Sequence, residues 1–330
     1  MLQTDGQLKK VFFTLSALVF SFVVRIDKFC VHIYILDSAK KRLSQNSSKN
    51  IFSDTQTHRI NMIACLTKRL FSSTRLSAAR VPVVGGNWKC NAGNGTTMDS
   101  VQQLVSDLNQ CVPTGKVEIF AAAPAIYLPY LVSNLDKRYN TCSQNVWKEV
   151  SGAYTGEISA DMLVDLGVQW TLVGHSERRD IFGEKDDLLQ AKITRAQEVG
   201  MTVVACCGEH KEDREAGTTM DVLIPQLQAI VDGTTDWSKM VVAYEPVWAI
   251  GTGLTATPEQ AQDTHANIRE WFAGAVSAEV ADGLRIQYGG SANADNAAQL
   301  GAMADIDGFL VGGAALKADG FSTIFNAIAK

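Results

Sequence analysis

The stretch MVVAYEPVWAIGTGLTATPEQ, residues 240–260, holds one complete strand–loop–helix unit. Its first part, 240–245, is a short apolar run of the kind carried by a parallel strand buried on both faces. Glu245 ends that run. A carboxylate at this point is costly to bury unless it works or is paired. It is either a base sharpened by desolvation or one half of an ion pair with an arginine. Residues 246–256 follow, with Trp248 in an apolar middle and glycines at the far end, which suits a closing lid or a buried connection. Thr257-Pro258 then opens a helix, threonine as N-cap and proline in the first turn. The glycines match the dinucleotide pattern GxGxxA over 251–256. That motif must leave the strand directly and open a helix, and here residues 246–250 intervene.

Working outward, the same unit recurs. Apolar runs stand at 81–86, 117–122, 139–144, 170–174, 202–206, 240–245, 285–288 and 308–311, and amphipathic stretches such as 187–199 fill the gaps. Eight strand–helix units in about 250 residues is the size of a (β/α)8 TIM barrel. A doubly wound open sheet is the alternative, and the count and regular spacing favour the barrel. We therefore expect a single α/β barrel domain over 81–330.

In a barrel the chemistry sits where strands end. After the first run come Asn87 and Lys89, the lysine being either a surface residue or a positive charge for an anionic substrate. After the fourth comes His175, just before a short helix. Amide donors at a helix N-terminus lower a histidine's pKa and favour the neutral ring. After the seventh and eighth runs stand Gly289-Gly290-Ser291 and Gly312-Gly313, where barrel folds commonly hold phosphate through backbone amides. One base, one neutral electrophile, one cation and a phosphate cradle suit metal-free proton abstraction beside the carbonyl of a small phosphate ester. We expect no metal and no cofactor.

Residues 1–80 read differently. They hold 13 Lys/Arg against 4 Asp/Glu, whereas the rest of the chain carries a net charge of −14. An acidic body is a poor nucleic-acid partner. The apolar run over 11–24 is too short to span a bilayer comfortably, and no membrane association is expected of the barrel domain. Residues 62–80 contain Lys68, Arg69, Arg75 and Arg80, many Ser/Thr and no acid, which is transit-peptide composition. We expect 1–80 to be a disordered targeting extension cut close to Arg80 and addressed to the mitochondrial matrix. A plastid, reached by a bipartite presequence over 1–80, and the cytosol are the alternatives. Seven scattered cysteines, odd in number and without metal-ligand spacing, suit free thiols in a reducing compartment.

Eight motifs then stand together: GGNWKCN at 85–91, SQNV at 143–146, GAYTGEIS at 152–159, VGHSERR at 173–179, ACCGE at 205–209, AYEPVWAIGTG at 243–253, QYGGS at 287–291 and DGFLVGGAAL at 307–316. In order and spacing they resemble the triosephosphate isomerase family over essentially all of 81–330. The resemblance implies interconversion of dihydroxyacetone phosphate and glyceraldehyde 3-phosphate through an enediol(ate). It implies Glu245 as base, His175 as neutral electrophile, Lys89 and Asn87 at the developing oxyanion and in holding substrate, and Glu177 in support of Lys89 or of the proton relay. It further implies that Gly251, Ser291, Gly312 and Gly313 bind phosphate. A homodimer is implied too, with Thr155 reaching into the partner's site and Cys90 near the interface. Departures are few: Leu254 stands where a lysine is common at the lid's far hinge, and Cys90 where many members have Met. Another phosphate-binding barrel isomerase or epimerase, several of which need a metal, is the runner-up. A non-catalytic barrel scaffold is a third reading, against which Lys89, His175 and Glu245 are all present.

Overall fold

The computed structural model describes residues 80–250 and 255–330, together with the backbone of two three-residue strands, Arg25–Asp27 and Cys30–His32, which pair antiparallel. The chain divides into two units, Met1–Arg75 and Leu76–Lys330. The apolar run at 11–24 and the transit-like stretch short of Arg80 lie outside the described residues, as does the glycine-bearing part of the lid at 251–254.

The second unit is a closed barrel of eight parallel strands: β1 (Val83–Asn87), β2 (Glu118–Ala123), β3 (Tyr139–Ser143), β4 (Trp170–Val173), β5 (Thr202–Cys207), β6 (Met240–Tyr244), β7 (Arg285–Tyr288) and β8 (Gly308–Val311). Each pairs with its sequence neighbours, and β8 closes on β1 with Gly308 opposite Val83. All eight expected runs became strands, two with the expected bounds and the rest with ends shifted by at most two residues.

Strand geometry sends alternate residues to opposite faces. In β1 Val83 faces the barrel interior and Val84 the helices. In β2 Phe120 and Ala122 face inward, while Ile119 and Ala121 face out. Phe120 stacks on Trp170 inside the barrel, ring centroids 5.3 Å apart. Gly85 makes room for it, since a Cβ there would lie 1.9 Å from the Phe120 ring.

The outer layer comprises α1 (Met98–Gln110), α2 (Leu128–Asn134), α3 (Ala160–Leu166), α4 (Ser176–Asp180), α5 (Asp186–Glu198), α6 (Lys211–Ala216), α7 (Thr219–Gly233), α8 (Pro258–Ala275), α9 (Ala278–Gly283), α10 (Ala297–Gly301) and α11 (Ala318–Ile328). The helix expected over 187–199 is α5. The Thr257 start of α8 is a full capping box, Thr257 Oγ1 accepting from Gln260 N and Gln260 Oε1 from Thr257 N. Among the described residues no helix is long and apolar enough to cross a membrane.

Candidate active site

The polar side chains marked at strand ends converge at the C-terminal mouth of the barrel. Glu245 directly follows β6, its amide donating to Cys207 O at 2.7 Å, and only 1% of it is exposed. Its Oε2 accepts from the amide of Ser176 at 2.8 Å. That amide belongs to the first turn of α4, where an unpaired N–H suits a carboxylate. Space around the Glu245 side chain is tight: a Cβ on Gly289 would stand 2.9 Å from Glu245 Cγ.

His175 is the N-cap of α4 and is likewise buried. The chain enters it through Gly174, at φ 73°, a left-handed turn that glycine adopts freely. Nδ1 accepts from the amide of Glu177 at 3.2 Å, which assigns the ring proton to Nε2. Nε2 lies 2.9 Å from Glu245 Oε1. Burial disfavours the imidazolium, but the adjacent Glu245 carboxylate outweighs it and raises the ring's pKa above the ordinary value. The sequence reading expected a lowered pKa. The helix amide it relied on is present at Nδ1, and the difference comes from Glu245 lying against the other nitrogen.

Lys89 is the one described non-glycine residue with positive φ, at 51°. Its amide donates to Asn87 Oδ1 at 3.0 Å, and its Nζ lies 2.5 Å from Glu177 Oε1. Asn87 is buried at the end of β1. Gln144 Nε2 donates to the carbonyls of Lys89, at 2.8 Å, and Ala122, at 3.0 Å. Gln144 stands in the SQNV motif, which alone assigns it no role. It holds the Lys89 backbone in place.

A cavity of about 390 Å³ opens between these groups and is lined by Asn87, Lys89, His175, Glu245, Ile250, Gly290, Ser291, Gly312 and Gly313. Gly312 lies close to Lys89, a Cβ there meeting Lys89 Cε at 3.5 Å. The Ser291 hydroxyl, expected to bind phosphate, donates to Ala249 O at 2.7 Å and so ties the β7 end to the lid. Gly251 lies outside the described residues.

Beneath the lid a second carboxylate went unnoticed in the sequence. Glu209 is fully buried, and its Oε1 accepts from Tyr244 Oη at 2.9 Å and Trp248 Nε1 at 3.0 Å. Burial raises its pKa against the pull of those two hydrogen bonds. Its backbone carbonyl also takes Val247 N at 3.1 Å, so one residue anchors the first turn of the lid.

Beside the mouth runs a groove of about 340 Å³, lined among others by Lys89, Cys90, Gln144, Gly156, Glu177 and Phe182. Around it Ile126, Tyr154, Ile181 and Phe182 are exposed, at 78%, 41%, 71% and 64%. Thr155 is exposed on the long loop after β3 and is not among the residues lining its own chain's cavity. Cys90 is an exposed free thiol.

The mouth thus offers a buried carboxylate, an imidazole with its proton on Nε2, an ammonium, and glycine backbones able to approach an anion. Such a set is chemically able to move protons next to a carbonyl.

A family described as triosephosphate isomerase matches residues 82–328. A Secale cereale protein named "Triosephosphate isomerase, chloroplastic" is 51% identical over 245 residues, covering 74% of this chain and 81% of that protein. One of the same name from Arabidopsis thaliana is 44% identical over 300 residues, covering 88% and 94%. "Triosephosphate isomerase, cytosolic" from Oryza sativa subsp. japonica is 49% identical over 249 residues, covering 75% and 97%. These names overturn the mitochondrial address expected above: two of these proteins are named chloroplastic, one cytosolic and none mitochondrial. A basic, Ser/Thr-rich, acid-poor composition is common to transit peptides of both organelles, so composition alone did not separate them.

Proposed function

The chain belongs to the triosephosphate isomerase family and interconverts dihydroxyacetone phosphate and glyceraldehyde 3-phosphate, and on that premise we propose that Glu245, His175 and Lys89 carry the reaction in a plastid homodimer. The observation that supports the catalytic reading best is the convergence of Glu245 and His175, 2.9 Å apart, beside Lys89 in one cavity. On substrate binding the carbonyl oxygen takes the place of Glu245 Oε1 at His175 Nε2. The freed carboxylate removes a proton from the carbon next to the carbonyl and returns it to the other carbon. His175 passes Nε2–H to that oxygen as negative charge develops and takes the proton of the neighbouring hydroxyl in its place as the new carbonyl forms, while the Lys89 ammonium and Asn87 stabilise the charge. Glu177 positions Lys89. Amides of Gly251, Gly312 and Gly313, with the Ser291 hydroxyl once it turns from Ala249 O, hold the phosphate. The reaction needs no metal or cofactor. Purified full-length chain should turn over dihydroxyacetone phosphate at an unchanged rate in a strong chelator. Activity lost there and restored by a divalent ion would favour the metal-dependent alternative.

The exposed apolar residues Ile126, Tyr154, Ile181 and Phe182 around the groove support the homodimer, with Cys90 at the interface and the partner's Thr155 loop filling that groove. The plastid reading is supported by the basic extension and by the Arabidopsis match. Coverage of 88% of this chain must reach upstream of residue 80, because the barrel unit is only about three-quarters of the chain. Residues 1–82 fused to a fluorescent protein should enter plastids of the native cell, and a diffuse cytosolic signal would contradict that address.

A further inference from the structure

One side chain holds the segment that enters β1. Arg80, with 15% of its side chain exposed, places Nε 2.5 Å from Asp307 Oδ1. Its Nη1 donates to Asp282 O at 3.2 Å and its Nη2 to Ala304 O at 2.8 Å. Asp307 is buried, and its other oxygen accepts from Arg269 Nη2 at 2.6 Å and Ile286 N at 2.9 Å. The partners of Arg80 are the end of α9, the turn after α10 and the residue that opens β8. Arg80 therefore spans the seam where the last strand meets the first and joins residues more than 200 positions apart. The backbone beyond it is already committed to the barrel: Val83 N donates to Asp307 O at 2.9 Å, and Pro82 O accepts from Glu118 N at 2.8 Å.

We propose that Arg80 is the clasp of the barrel seam, and that the proteolytic step removing the extension cuts N-terminal to Arg80 and leaves its guanidinium in the mature enzyme. That a processing step occurs rests on the plastid reading; the clasp does not. Hydrolysis adds one water across a peptide bond, leaving a carboxylate on the released piece and an ammonium on the enzyme. A cut after Arg80 would carry the guanidinium away and strip the Asp282 and Ala304 carbonyls of a charged donor. A protease also needs free backbone on both sides of the bond, and Pro82 and Val83 are held in barrel hydrogen bonds.

Trypsin, which cleaves after arginine, tests this on the native full-length chain. The resistant product should retain Arg80 when its N-terminus is sequenced, and a product starting at Val81 would overturn the clasp. Full-length Arg80→Gln should melt about 4 °C or more below the wild type with kcat unchanged, because Arg80 lies at the opposite end of the barrel from the site. Equal melting temperatures would also overturn it. Protein imported into isolated chloroplasts should start at or before Arg80, and a start at Val81 or later contradicts the proposed cut. Failure of import contradicts the plastid reading alone, the trypsin and melting results still deciding the clasp.

Discussion

Lys89 sits in the left-handed region of backbone space, where a non-glycine residue carries roughly 1–3 kcal/mol of strain. It stays there because Asn87 takes its amide and Gln144 its carbonyl. A lysine side chain is long and flexible, and this fixed backbone sets where its charge arrives. Gln144→Ala should therefore lower kcat/KM by roughly 10- to 100-fold with little change in melting temperature, since small displacements of a catalytic group are expensive. An unchanged kcat/KM would show that Asn87 alone holds the loop. Glu245, His175 and Lys89 were legible in the sequence, each being a polar group at the end of an apolar run. Gln144 and Glu209 were not, because they act on backbone carbonyls and ring donors up to 55 residues away. A buried glutamate after ACC gives no sign from spacing alone that its partners are Tyr244 and Trp248.

At the level of elements, the barrel strands were readable because both faces of each are covered, which leaves a continuous apolar run and a polar stop. The helix starts were readable where a cap marks them, as at Thr257, whose capping hydrogen bond is worth about 1 kcal/mol. Short connections such as α4 are legible only as a short helix after His175, without bounds, because five residues carry no periodicity. The long loop after β3 is held at its base by Trp147 N donating to Ile158 O at 2.8 Å and by Trp147 packing on Tyr154 at 5.2 Å. Its tip, with Thr155, is exposed. Thr155→Arg should place a charge where the partner's groove closes over the loop and yield weakly active monomers by light scattering. A variant that stays dimeric and fully active, or a wild type that is fully active as a monomer at micromolar concentration, would contradict the proposed assembly.

For the whole molecule, stability should depend on pH through His265. It is fully buried between Tyr244 and Tyr288, its Nδ1 lies 3.2 Å from Asp305 O, and burial lowers its pKa to about 4. The unfolded chain binds that proton near pH 6.5. The contribution of the neutral ring is therefore complete above 6.5, is lost as pH falls from 6.5 to 4, and amounts to about 3 kcal/mol. Glu209, with its raised pKa, works in the opposite sense above its ordinary titration range. Comparing the wild type with His265→Gln isolates the histidine: between pH 7.5 and 4.5 the wild type should lose about 2–3 kcal/mol more in denaturant unfolding at fixed protein concentration. Parallel losses would show that His265 is not responsible. The charge asymmetry between extension and body was legible from composition, but the organelle was not, because transit peptides of mitochondria and plastids share that composition. The central claim is that Glu245 is the base of this isomerase. It is tested most directly by the turnover of Glu245→Gln in the full-length chain, with folding verified by its melting temperature. The account predicts a kcat lower by about 10²–10⁴-fold with KM little changed, and a fall of only a few-fold would contradict it.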